Sequence, residues 1–499
     1  VKTLKLTVDA AHRKSHINRE LYGHFIEHTG RIVNDGVFVG RESEIPNVGG
    51  IRLDVLEALR EIDTPMLHWP GGWHAEFYHW RDGIGEPGHR SPSINAHASR
   101  LGSTTFDSVD DNEFGTHEFF DLCEELGAEP YLVMNVGSGT VQEAAEWVEY
   151  VTFPGDSAMA RLRRRNGRDE PWKLRYLCMG NEWYDYESAS AFAVDYRKYN
   201  AFARDYGPEP MKRLLRGPQH LDYARSAEIV SLVEPGTFDA LTLYCVIVAG
   251  RGLGSSTEFT DAEYFATLAN ALGIDESITR HVAILREREG NQNARLAIDE
   301  WGTWHEQDGD DQWFMHITMR DALVQAAVLN IFNQRSDVLL LGTLCMPINA
   351  LSALLHTSGP RLLRTPAYYV HRMYKGHQGA TLVESTLENE TLETESAGLP
   401  AVSHSVSVKD DTLLITLANC SLDRDYLIDC DLLGRGYAIL DAEILRADDV
   451  RERNHFDHPD NVIAHPFDGV RRRDDGALHV ELPRCSVVAL RLRAHTETV

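Results

Sequence analysis

No apolar run in this chain is long enough to cross a membrane. The longest, 337–355, is interrupted by Gly, Asn and Pro, whereas a spanning helix needs about 20 predominantly apolar residues. Positive charge is scarce: 49 Lys and Arg against 76 Asp and Glu leave a formal net charge of −27. Such a surface repels nucleic acid and anionic lipid, so neither is expected as a partner. The one dense basic run, Arg161 to Arg168, reads as a solvated loop. Seven cysteines stand far apart with no Cys-x-x-Cys pair, which excludes a disulfide framework and points to buried reduced thiols. His68, His74 and His79 match no helical face and no zinc motif, so no metal and no cofactor is expected. Val1 to Ala10 alternates like a strand and has no apolar leader core, which makes the cytoplasm the expected location.

What is present is ordinary globular material: 499 residues, 43% hydrophobic and 25% charged, enough for one large barrel with an appendage. From about residue 50 to 375, short apolar runs alternate with amphipathic stretches. Helical periodicity marks 53–60, 114–126, 143–150 and 321–333; strand-like runs lie at 65–69, 130–135, 174–179, 238–248, 295–298 and 338–343. Repeated strand–helix units over some 300 residues predict an α/β fold, a closed (β/α)8 TIM barrel. After about residue 380 the helical period fades, and 412–419, 437–446, 477–482 and 485–492 read as strands of an appended all-β sandwich. The predicted division is 1–17, a strand contributing to the sandwich; 18–378, the barrel; and 379–499, the sandwich itself.

Two acidic residues stand out. Met179-Gly180-Asn181-Glu182 follows the strand 174–179, and Ile298-Asp299-Glu300-Trp301 follows the strand 295–298. Both place a Glu at the carboxyl-terminal mouth of the barrel, where this fold keeps its chemistry. Their separation of 118 residues is about three strand–helix units, so Glu182 is expected on the fourth strand and Glu300 on the seventh. Facing carboxylates suit glycosidic bond cleavage, in which one donates a proton and the other attacks the anomeric carbon or activates water. Mutual repulsion separates their proton affinities and hence their roles. The adjacent Trp183 and Trp301 suit sugar stacking.

Several motifs together resemble the clan A glycoside hydrolases, specifically the family 51 α-L-arabinofuranosidases. They include Gly23-His24-Phe25-Ile26-Glu27-His28, Trp69-Pro70-Gly71-Gly72, and Tyr78-His79-Trp80-Arg81-Asp82-Gly83-Ile84-Gly85. Phe114-Gly115-Thr116, Asn135-Val136-Gly137-Ser138-Gly139-Thr140 and Asn454 to Val462 are similar again. The resemblance implies a retaining exo-glycosidase acting on terminal furanosides of glycans, with Glu182 as general acid/base and Glu300 as nucleophile. It also implies that Asn181 binds the sugar's 2-hydroxyl, that Glu27 contacts other hydroxyls, and that the chain forms a homo-oligomer.

The sugar-contacting positions depart from the family pattern. His68 stands where an Arg usually precedes the aromatic residue and Pro-Gly-Gly, and Trp73 where an Asn usually follows. Tyr244 falls in Thr242-Leu243-Tyr244-Cys245-Val246, against the usual Ser-Leu-His-x-Tyr, and Ser352 stands near an expected Gln. His305 is read as a further sugar contact. Either the correspondence slips locally or the pocket suits another glycone, such as a galactofuranoside, a D-arabinofuranoside or a xyloside. A non-catalytic sugar-binding protein on the same scaffold is the remaining alternative.

Overall fold

The computed structural model describes residues 1–95, 109–250, 252–394, 398–434, 436–474 and 476–495. A first long strand, β1 (Lys2–His16), precedes eight parallel strands that close into a barrel. These are β2 (Gly23–Phe25), β3 (Met66–Trp69), β4 (Glu129–Met134), β5 (Tyr176–Met179), β6 (Lys212–Leu215), β7 (Ala240–Ile247), β8 (Arg295–Thr303) and β9 (Leu339–Cys345). The outer layer comprises α1 (Leu53–Glu61), α2 (Thr116–Leu126), α3 (Val141–Thr152), α4 (Ala158–Arg165), α5 (Ala189–Phe202), α6 (Tyr223–Leu232), α7 (Asp261–Leu272), α8 (Ile274–Glu287), α9 (Met319–Gln334) and α10 (Pro366–Tyr374). The expected eight-fold barrel is therefore present, with Glu182 after the fourth strand and Glu300 on the seventh. Two of its strands, β2 and β6, three and four residues long, lie outside the strand-like runs read from the sequence.

Strand alternation builds the barrel interior in layers. Met66, Tyr131, Val133, Tyr176, Cys178, Leu214, Ala240, Ala297 and Leu341 form a buried apolar cluster of their own. Two residues further along three of these strands, the same period turns His68, Arg216 and Asp299 inward, all fully buried. A polar layer thus lies between the apolar plug and the mouth.

The strand β8 breaks the alternation at the decisive place. Opposite β7, Thr242 pairs with Ala297 and Tyr244 with Glu300; opposite β9, Ile298 pairs with Gly342 and Trp301 with Leu344. On both sides β8 carries one residue more than its neighbour, which is a β-bulge. Asp299 and Glu300 consequently both reach one inward-facing cation instead of pointing to opposite faces. Trp301 turns out of the barrel, edge-on to Phe332 of α9 at 5.3 Å and stacked near His371 of α10 at 6.5 Å. Trp301 is thus a core residue and not a sugar platform. Trp301→Ala should cost about 3–5 kcal/mol of stability by leaving a cavity, with KM for substrate unchanged. A raised KM with unchanged melting would instead restore the stacking role.

The remaining strands are β10 (Thr381–Leu387), β11 (Val402–Lys409), β12 (Thr412–Asn419), β13 (Tyr426–Leu433), β14 (Tyr437–Arg446), β15 (Ala464–Pro466), β16 (Val470–Arg472), β17 (Leu478–Leu482) and β18 (Ser486–Ala494). With β1 they form one ten-stranded sheet in the order β15-β14-β18-β12-β11-β10-β1-β13-β17-β16. Residues near both ends of that order, Tyr437 and Val480, share one apolar core with Leu6 and Ile415, so the sheet curls over itself. The strand β1 pairs antiparallel with β10 and parallel with β13. The helix α9, buried almost all round, joins the two bodies: Asn330 and Asn333 donate to Ser403 and Ser405 of β11.

The run Arg161 to Arg168 is not a solvated loop. Its first half lies in α4, and the buried Arg163 donates to the carbonyls of Tyr150, Phe153 and Asp169. Arg161 pairs with Asp156 and Arg168 with Glu124. All seven cysteines are buried and free. Among the described residues no helix is long and apolar enough to cross a membrane.

Candidate active site

The barrel mouth opens into a cavity of about 300 Å³. Glu182 and Glu300 both line it, with Glu27 from the loop after β2. Aromatic and apolar walls come from Phe25, Tyr184, Tyr244, Trp304 and Trp313, and from Cys345 and Met346 at the end of β9. Tyr244 and Trp304 meet edge-on at 5.7 Å, and Trp304 tilts against Trp313 at 5.4 Å. Trp313 is therefore a wall of the cavity.

Glu300 is buried and held through one oxygen. Arg216 Nη2 and Asn181 Nδ2 each donate to Oε1 at 2.8 Å. Burial pushes the Glu300 carboxyl up to about 8, and the charges of Glu182 and Asp299 push the same way against Arg216 and Asn181. Arg216 also donates to Asp299 Oδ1 at 2.7 Å, while Tyr131 donates to Asp299 Oδ2 at 2.8 Å. Burial works against the charge on Arg216, yet Asp299 and Glu300 outweigh it and hold its pKa well above the usual value.

Glu182 is positioned through its backbone. The buried Glu76 accepts from Asn181 N at 2.6 Å and Glu182 N at 2.9 Å through Oε1, and from Gly137 N at 3.0 Å and Tyr186 Oη at 2.9 Å through Oε2. Four donors converge on this carboxylate, which ties together the loops after β3, β4 and β5. Burial nonetheless raises its pKa, against the pull of those donors. The turn carrying Glu76 follows Pro70-Gly71-Gly72, where glycine is obligatory. Gly72 has φ +58°, and a Cβ there would stand 2.2 Å from Glu27 Oε1. Glu27 Oε1 in turn accepts from His74 N at 3.1 Å.

Of the sequence-derived candidates, the structure gathers Glu182, Glu300, Glu27 and Tyr244 around the cavity, with Asn181 directly behind Glu300. The others stand elsewhere. His68 lies in the polar layer beneath the floor, stacked on Tyr131 at 4.2 Å with Nδ1 3.2 Å from Asp299 O. Ser352 sits behind β8 and donates to Thr303 O at 3.0 Å; the eighth strand presents Cys345 and Met346 in its place. The buried His305 binds Asp321 Oδ1 at 2.8 Å, at the start of α9. Trp73 is half-buried among Phe77 and Tyr186 and does not line the cavity. Trp183 is buried, stacked on Phe192 at 4.5 Å, with Nε1 donating to Arg216 O. Arg216 and Glu76 were missed: one ends a four-residue strand and the other lies in a turn, and neither carries a local motif.

A closed (β/α)8 barrel with two glutamates facing one cavity, from its fourth and seventh strands, defines a glycoside hydrolase. Comparison with known proteins narrows the class. The α-L-arabinofuranosidase C-terminal domain model matches residues 299–486, and the α-L-arabinofuranosidase 1 domain model matches residues 58–210. An intracellular exo-α-L-arabinofuranosidase of Bacteroides ovatus is 36% identical, covering 99% of this chain and 96% of its own. The family 51 arabinofuranosidase of Xanthomonas axonopodis pv. citri superposes with a TM-score of 0.93 at 32% identity, over 98% of this chain and 100% of that one. The α-L-arabinofuranosidase of Thermotoga maritima, in an arabinose complex, gives 0.87 at 25% identity over 98% and 100%. The chain belongs to glycoside hydrolase family 51, the α-L-arabinofuranosidases.

Proposed function

We propose that the protein removes terminal α-L-arabinofuranosyl residues from glycans by double displacement, with Glu300 as nucleophile and Glu182 as general acid/base. The observation that carries this reading is the asymmetry of the two carboxyls around one cavity. Burial and mutual repulsion make the pair retain a proton at neutral pH. Arg216 and Asn181 both donate to Glu300 Oε1 and so stabilise the anion there, which leaves the proton to Glu182. Glu300 attacks the anomeric carbon while Glu182 protonates the departing oxygen, and a glycosyl ester forms. Glu182, now a carboxylate, then takes a proton from water, which hydrolyses the ester and releases the sugar. Asn181, bound to Glu300, stands where a 2-hydroxyl would lie beside the ester, and Glu27 supplies an acceptor to a further hydroxyl. The aromatic walls suit the apolar faces of a sugar ring.

The test is a panel of aryl glycosides of L-arabinofuranose, D-arabinofuranose, galactofuranose and xylose. The L-arabinofuranoside is expected to have the highest kcat/KM. Turnover of another member alone would keep the two-glutamate chemistry and replace the glycone. Silence on all four, with no covalent labelling by a cyclophellitol-type probe, would leave a sugar-binding protein without catalysis.

A further inference from the structure

His68 and Arg216 stand on the second and fifth barrel strands and converge on one residue. His68 Nδ1 is 3.2 Å from Asp299 O, and Arg216 Nη1 is 2.7 Å from Asp299 Oδ1. Both side chains are fully buried. Burial, and secondarily the charge of Arg216, push the His68 pKa well below its usual value, so position 68 carries no charge. In the resembling sequences an Arg usually precedes the aromatic residue and Pro-Gly-Gly, at the place His68 holds here. The guanidinium that this pattern would place on β3 is thus absent, and Arg216, directly after β6, supplies one within the same polar layer. Two guanidinium groups there would repel each other across Asp299, so Arg216 suits a neutral residue at position 68.

We infer that Arg216 is the positioning residue for the nucleophile Glu300, with His68 on the second barrel strand as its neutral neighbour in the same layer. Its fork spans both acids of the bulge, Nη1 on Asp299 and Nη2 on Glu300, a geometry that only a planar, two-pronged cation provides. With Arg216 and Asn181 both on Oε1, Oε2 is the oxygen available for attack. The bulge and the arginine therefore act as one device: the extra residue turns Glu300 to the face that Asp299 already occupies, and Asp299 anchors the arginine that orients Glu300. The titratable and charged groups facing Glu300 are Asp299 from its own strand, Arg216 from β6, Glu182 and Tyr184 from the loop after β5, Tyr244 from β7 and Cys345 from β9. Arg216 is the one cation among them.

This inference rests on Glu300 being the nucleophile, and the experiment separates the two. Arg216→Met alone would strand buried Asp299, so Arg216→Met is combined with Asp299→Asn. The pair removes one positive and one negative charge and leaves the buried charge sum unchanged. With the aryl L-arabinofuranoside, kcat should fall about 100-fold while KM stays within about threefold. The acid limb of kcat/KM should move up by at least about one pH unit, because Glu300 has lost its cation. Arg216→Ala/His68→Arg, which places the guanidinium on the second strand of the same layer, should recover at least about tenfold over Arg216→Ala and bring the acid limb back. An unmoved acid limb in the charge-neutral pair overturns the inference, as does a folded transplant no better than Arg216→Ala. If Glu300→Ala retains wild-type turnover, it is the nucleophile assignment that fails, whatever the arginine variants do.

Discussion

Glu300→Ala is expected to lower kcat on the order of 10⁴-fold or more, equally for good and poor leaving groups. The variant keeps the cavity and the proton donor but has no carboxylate to form the glycosyl ester, so only direct attack by water remains. Ten thousandfold corresponds to about 5.5 kcal/mol of lost transition-state stabilisation. The measurement is steady-state hydrolysis of a series of aryl L-arabinofuranosides, with covalent probe labelling read by intact mass. Labelling of the variant, or a loss smaller than about tenfold, would remove Glu300 from the nucleophile's position. Folding is not at risk from exposed hydrophobic surface, but the change leaves Arg216 with Asp299 alone, and a melting curve should accompany the kinetics.

Glu182→Ala is the second large effect, and its signature differs. General acid catalysis contributes typically about 10²–10⁴-fold, and its share depends on the leaving group. An alkoxide leaving group should lose the full factor in kcat/KM, whereas a nitrophenolate, which departs without a proton, should lose far less. The pH profile changes shape too. In the wild type Glu182 must carry a proton to give to the leaving oxygen, so activity is lost as pH rises through the deprotonation of Glu182. With Glu182 gone that basic limb should vanish. A basic limb unchanged in Glu182→Ala would mean that another group, with Tyr184 and Tyr244 the nearest candidates, supplies the proton.

These effects bear on how the pocket differs from the pattern it resembles. Three positions that looked like altered sugar contacts, His68, Trp73 and Ser352, do not face the cavity. Their changes therefore say little about the glycone. Position 68 concerns the charge beneath the nucleophile, position 352 the backing of β8 and position 73 an aromatic cluster outside the cavity. One wall of the cavity consists of Tyr244, Trp304, Trp313 and Met346, richer in aromatic and apolar groups than in donors. Besides the tyrosines, the polar side chains lining the cavity are Glu27, Thr29, Glu182, Asp185, Gln219 and Glu300.

Much of this was legible in the residues alone. Long amphipathic helices and apolar strands repeat with their own periods, so 53–60, 130–135 and 338–343 declared themselves, and their alternation implied the barrel. Glu182 and Glu300 could be placed on its fourth and seventh strands because a strand–helix unit has a nearly constant length. The late strands stood out because the helical period ceases after about residue 380. What the sequence could not settle was direction at the irregular points. Strict alternation would turn Glu300 away from the face that Asp299 occupies; the bulge on β8 brings both inward and sends Trp301 into the core. Arg216 and Glu76 lie on segments too short for any periodicity, and their partners are distant in the chain: Arg216 meets Glu300 across 84 residues and Glu76 meets Glu182 across 106. Local pattern reports which residues share a face of an element. Which buried charge meets which depends on closing the barrel, and only the tertiary structure decided that.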